Sequence, residues 1–151
     1  MKEKEMEESL VMIWGTTALA CLTGVSAATD LLKGKIYNAV TVTGLLFGVG
    51  FSLQRGGAAG LLEVLCAVAF TVMALWPFYR AGGLGAGDIK LLAAVSSFMT
   101  SEEYLRCFAG AFVIGACLGL VRLAGTGGKQ HKVHFAVPVA ASVFLHMAGV
   151  F

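Results

Sequence analysis

The chain has 151 residues, 58% of them hydrophobic and 13% charged, with a mean hydropathy of +0.82. Soluble domains hold roughly 45–50% apolar residues, so this composition excludes a water-soluble globular protein and identifies an integral membrane protein, with one domain the natural count at this length. A net charge of +2 is too small to point to nucleic acid as a partner. Cys21, Cys66, Cys107 and Cys117 lack CxxC spacing, which argues against a zinc site or a disulfide framework and leaves them as small buried apolar residues.

Residues 1–9 read as a polar tail, net acidic through Glu3, Glu5, Glu7 and Glu8, ahead of a membrane domain over residues 10–151. The first apolar helix runs from about Leu10 to Ala28 and ends at Asp30. Its acidic flank is unlike the basic start of a secretory signal, so it is retained as a span despite Val25-Ser26-Ala27. A polar link with Lys33 and Lys35 leads to a second apolar run from about Ala39 to Leu53. That run is short against the roughly 20 residues a span needs, and it borrows Ile36 to Asn38. Gln54-Arg55-Gly56-Gly57 is a tight turn. The third helix covers about Ala58 to Tyr79 and closes on interfacial aromatics, with Pro77 removing a donor from its last turn.

The run Gly82-Gly83-Leu84-Gly85-Ala86-Gly87-Asp88-Ile89-Lys90 follows. Only about a dozen residues, Ile89 to Thr100, separate Asp88 from Ser101-Glu102-Glu103, too few to span. A fourth helix must therefore recruit part of the glycine run, which draws Asp88 below the headgroups, where an acid is costly and marks a functional site. Helix five covers about Tyr104 to Ala124 and helix six about Val133 to Phe151, joined by a flexible basic loop. The expected architecture is an all-α bundle of six transmembrane helices. Lys33, Lys35, Arg80, Lys90, Arg122, Lys129 and Lys132 all fall on one side, the cytoplasmic side by the positive-inside rule. Both termini, Arg55 and Glu102-Glu103 fall on the other. Asp30 and Asp88 then share the cytoplasmic face of the cell inner membrane.

Two aspartates at one end of a bundle can share a proton. Both cannot ionise cheaply when close together, so one carboxylate takes a proton from water while its protonated partner donates to a scissile carbonyl. Such a dyad would cleave a peptide bond. Asp88 also has a purely structural reading, as a cap for the helix it opens. Gly85 and Gly87, without Cβ atoms, allow close backbone approach and local unwinding. Lys90, two residues from Asp88, favours the ionised carboxylate.

Gly85-Ala86-Gly87-Asp88, followed by Ile89-Lys90-Leu91-Leu92, resembles the GxGD signature of the intramembrane aspartyl proteases, and specifically of the prepilin peptidases. Asp30 with Ile36-Tyr37-Asn38 is similar to that family's first aspartate and its Ile-Pro-Asn-like triplet, with Tyr37 in place of proline. His134-Phe135-Ala136-Val137-Pro138 resembles its Pro-Phe-Ala-Pro segment, with His134 where a proline often stands. The resemblance runs from Asp30 to Pro138. It implies catalysis by Asp30 and Asp88, site-shaping roles for Asn38 and Pro138, no cofactor, and type IV prepilin-like precursors as partners, cut between a basic leader and an apolar helix. Larger members carry an insert with paired CxxC motifs associated with N-methylation. Nothing here corresponds to it, so the resemblance implies a short form, similar to Tad-pilus and archaeal peptidases.

Other candidates are weaker. His131 and His134, three residues apart, lack a third metal ligand nearby, and no metal site is expected. Glu63 reads as a polar interhelical contact. Gly44 with Gly48 and Gly115 with Gly119 read as close-packing faces. The rival class is a non-catalytic small membrane protein, either a carrier coupling ions through Glu63 and Asp88 or a pilus-assembly scaffold. No convincing inverted repeat supports the carrier.

Overall fold

The computed structural model describes residues 2–126 and 134–150, and among them every regular element is helical. Five helices follow in order: α1 (Lys2–Lys33), α2 (Asn38–Arg80), α3 (Ala86–Ser96), α4 (Ser101–Thr126) and α5 (Ala136–Met147). Stretches of α1, α2 and α4 are long and apolar enough to cross a membrane, and α5 is a shorter apolar helix. Together they make this a membrane protein.

Helix α2 is two arms. Gly57 has φ 56° and ψ −137°, outside the helical region, and the chain reverses there. Ser52 Oγ donates to Gly60 O at 3.0 Å, and Arg55 lies 3.8 Å from Glu63. Residues eight apart on one continuous helix would be separated by about 12 Å along its axis. The expected turn at 54–57 is therefore present. Small residues line the inward stripe of the first arm, Thr41, Gly44, Gly48 and Ser52, while the second buries Gly60, Val64, Ala67, Thr71 and Leu75. Without water to drive apolar faces together, helices in lipid gain most by letting backbones approach closely. A Cβ on Gly44 would collide with Leu22, and one on Gly48 would collide with Ser97. Gly115 is similarly tight, with Phe135 Cε2 at 3.0 Å from an added Cβ, whereas Gly119 faces open space. The second small-residue pair is thus a contact at one member only.

Helix α3 is the centre of the bundle. It has 11 residues, about 16 Å at the usual rise, and Leu91 through Met99 are buried without interruption. A helix encased by others meets protein at every side, so it need not be long enough to face lipid. It recruits only Ala86 and Gly87 from the glycine run and stops at Ser96, before the expected Thr100. Gly82 (φ 75°) instead ends α2. The Gly82 N–H donates to Tyr79 O and the Gly83 N–H to Phe78 O, both at 3.0 Å, the pairing of a Schellman terminus.

Other boundaries also differ from the sequence expectation. Helix α1 starts in the acidic segment and runs past Asp30 to Lys33, where Gly34 (φ 60°) ends it. The tail and first span are thus one helix. Helix α2 takes only Asn38 from the link, because Ile36 is used against Gly87. Cys107 is buried, but Cys21, Cys66 and Cys117 are exposed free thiols on the outside of the bundle; lipid solvates an apolar thiol as readily as a protein core does.

The far end of the bundle is also polar. Glu63 Oε1 accepts the Ser101 N–H at 2.6 Å, and Glu103 Oε2 accepts from the Thr100 N–H and hydroxyl, each at 2.9 Å. His146 Nε2 lies 4.0 Å from Glu103. Glu63 is therefore the expected interhelical contact, joining the α2 hairpin to the start of α4.

Candidate active site

Asp30 is placed by periodicity. The buried positions Leu19, Leu22, Thr23, Ser26 and Asp30 recur every three or four residues along α1, so the helix repeat that buries the leucines also turns this carboxylate inward. Asp30 is 7% exposed. Its main-chain carbonyl accepts the Gly34 N–H at 2.8 Å, which closes α1 directly beyond it.

Asp88 stands at the start of α3, half-buried. Its Oδ2 accepts the Gly85 N–H at 3.0 Å, while its own N–H donates to Gly85 O at 3.1 Å. This is the carboxylate half of a capping box, satisfying a donor the helix start leaves over. The structural reading of Asp88 is correct as far as one oxygen goes.

The linker 34–37 joins the two aspartates to one end of the bundle. A Cβ on Gly87 would meet Ile36 Cβ at 3.2 Å, so the absence of a side chain lets the first turn of α3 lie directly on the linker. Lys90 Nζ donates to Asn38 Oδ1 at 3.0 Å, fastening α3 to the start of α2. Lys90 and Asn38, both expected to shape the site, thus pair with each other. Lys33 Nζ reaches the Tyr37 hydroxyl at 3.1 Å and lies 5.3 Å from the centre of its ring. Tyr37, where the resembled family has proline, orders the linker by this contact. Gly85 is exposed and serves as the α3 N-cap.

His134 completes this end. Its Nδ1 lies 3.2 Å from Asp30 Oδ1. Helix α5 carries it there: Ala136, Val139, Ala140 and Val143 form a buried stripe, and Ser142 Oγ donates to Cys107 O at 2.7 Å, tying α5 to α4. Pro138 is fully buried, 3.6 Å by its Cγ from a Cβ built on Gly115; it shapes the packing beneath His134. Sequence reasoning noted His134 as a replacement for proline and as half of a metal pair, and missed it as the neighbour of Asp30. No spacing rule links a helix end to a residue so distant in sequence. His131, the other half of that pair, lies outside the described residues, and among the described residues no group of His, Cys, Asp and Glu side chains is arranged to hold a metal ion.

A bundle of apolar helices with an inward aspartate near the end of α1, and a second aspartate opening a short central helix whose Gly87 packs on the linker beyond α1, defines a helical membrane protein with two acidic groups beside one linker. The model of the type IV leader peptidase family matches residues 17–120, a range that contains both aspartates, and the chain belongs to that family. It is 28% identical over 146 residues to a protein of Aeromonas hydrophila named prepilin leader peptidase/N-methyltransferase, across 90% of this chain and 48% of that one. The chain thus spans about half the length of the curated relative it matches. No solved structure matches it.

Proposed function

We propose that this protein is an aspartic leader peptidase that removes the basic leader from type IV prepilin-like precursors, with Asp30 and Asp88 as its catalytic residues. The observation that carries this reading is the placement of both aspartates at one end of the bundle, on either side of the linker 34–37, within the span matched by the leader peptidase family.

In the reaction, the two carboxyls share one proton. The ionised one takes a proton from water, whose oxygen attacks the scissile carbonyl, and the protonated one donates to the carbonyl oxygen and then the leaving nitrogen. Gly85, exposed at the start of α3, leaves space for an extended substrate backbone beside Asp88, while Gly87 holds α3 against the linker. The Asn38–Lys90 pair keeps α3 in register with the linker while the substrate enters. With the two arms of α2 counted separately and α3 enclosed by its neighbours, the chain makes six membrane helices. The Lys- and Arg-rich end faces the cytoplasm, and with it the aspartates. Peptidase activity alone is assigned; the N-methyltransferase part of the relative's name is not carried over.

The test is co-expression with an epitope-tagged prepilin-like substrate in cells lacking their own processing enzyme. Precursor is expected to shorten with the parental chain and to stay full length with Asp30→Asn or Asp88→Asn at equal membrane abundance. Parental-rate processing by either variant defeats the assignment.

A further inference from the structure

Among the described residues, three buried side-chain atoms have no hydrogen-bond partner: Ser26 Oγ, Asp30 Oδ2 and His134 Nδ1. Native proteins leave few such atoms, and each one calls for an explanation. These three are neighbours. Ser26 and Asp30 lie one turn apart on the same face of α1, and His134 approaches Asp30 from the start of α5. The Nδ1 to Oδ1 separation of 3.2 Å is within reach of an N–H···O bond, yet the two groups are out of line. Hydrogen bonds of catalytic groups are often misaligned without substrate and tighten when it binds.

The charged and titratable groups around this end are engaged elsewhere or turned outward. Lys33 is on Tyr37, Lys90 on Asn38, and Asp88 on the Gly85 N–H; Lys35 and Arg80 are exposed. Lys129, His131 and Lys132 lie outside the described residues. Among the described residues, His134 is the titratable side chain shown beside the Asp30 carboxylate.

We propose that His134 is a positioning residue for Asp30: its Nδ1–H donates to Oδ1, fixing the carboxylate with Oδ2 as the oxygen that acts on water. This rests on the leader peptidase reading of the site and adds to it a division of labour between the two Asp30 oxygens. An imidazole donates from one fixed direction, so it selects one rotamer of the carboxylate. A proline at this position would provide no donor.

Two measurements test it. Nitrogen-15 NMR of histidine-labelled protein in detergent micelles, with signals assigned by difference using His131→Gln and His146→Gln, reads which ring nitrogen carries hydrogen. The His134 Nδ1 is expected to be protonated in the parental chain and to lose hydrogen occupancy to Nε2 in Asp30→Ala. An identical His134 spectrum in both overturns the proposal, whether or not any peptide is cleaved. In the processing assay, His134→Leu is expected to lower kcat about 10- to 100-fold, by analogy with the cost that metal sites show for losing a residue that orients a ligand, with KM little changed. His134→Asn, whose amide N–H reaches the same side, is expected to recover most of the rate. Parental kcat in His134→Leu, or a His134→Asn rate no better than that of His134→Leu, overturns it. Failure of the parental chain to cleave would strike the peptidase reading instead and leave the NMR comparison standing.

Discussion

Adding one methyl group at Gly48 tests how tightly α3, and through it Asp88, is held. A Cβ there would lie 2.7 Å from Ser97 Cβ and 2.9 Å from Phe98 Cε2, and would overlap Ser97 Oγ. Carbon atoms in contact prefer about 3.5–4.0 Å, so Gly48→Ala must push the end of α3 away by about 1 Å, and overpacking of this kind costs about 1–3 kcal/mol. Helix α3 is a short rod with Asp88 near its other end, where Gly87 already presses on Ile36. It cannot relax without moving the carboxylate, and a misplacement of about 1 Å can lower a rate by about 100-fold. Thermal unfolding in detergent should show a lower midpoint for Gly48→Ala, and precursor processing should slow. Ser97→Gly removes both overlapping atoms at the cost of the Ser97 hydroxyl bond to Ala94 O at 2.7 Å, about 0.5–1.5 kcal/mol. The double variant should be more stable than Gly48→Ala alone. Parental stability and processing in Gly48→Ala, or purely additive losses in the pair, would refute the close packing of α2 on α3.

The remaining predictions separate structural from chemical roles. Asp88→Asn keeps an acceptor for the Gly85 N–H and should unfold at nearly the parental temperature while losing processing. Asp88→Ala should lose processing and, in addition, about 0.5–1.5 kcal/mol of stability from the vacated cap, read in the same melts. Thr71 spends its one hydrogen on Ala67 O at 2.7 Å, so in the 2.6 Å contact between the hydroxyls it is Tyr104 that donates. Tyr104→Phe should cost about 1 kcal/mol and leave cleavage unchanged. Glu63→Ala strands the Ser101 N–H and loosens the 54–57 turn, so it should speed proteolysis there, whereas Glu63→Gln should protect it.

Much of this architecture is legible in the chain because membrane and helix impose strong local rules. Apolar length and the turn at 54–57 predict the helices, and the polar link after the first apolar run places Asp30 near the end of the first helix. The GxGD run locates Asp88, and the scarcity of apolar residues after it signals a helix that cannot face lipid by itself. These are properties of neighbouring residues, and sequence carries them directly. The boundaries were less legible, since a helix ends where a cap is satisfied. Gly34 ends α1 only after Lys33, past Asp30, and Gly82 and Gly85 each close or open a helix, so that the glycine run is mostly terminus and only Gly87 is close contact.

Tertiary structure decided which residues meet. Lys90 reaches across to Asn38 because α3 lies along the linker, and Gly87 makes room for Ile36. Cys21, Cys66 and Cys117 face outward because lipid imposes no penalty on an apolar thiol. His134 comes to Asp30 through the packing of α5 on α1 and α4, a relation between distant segments that no periodicity or spacing encodes. The sequence by itself determined a helical membrane protein with two aspartates at one end. The packing supplied the neighbour of the first aspartate, which depends on how helices press together, whereas the cap made by the second is a local contact three residues apart and was legible in the sequence.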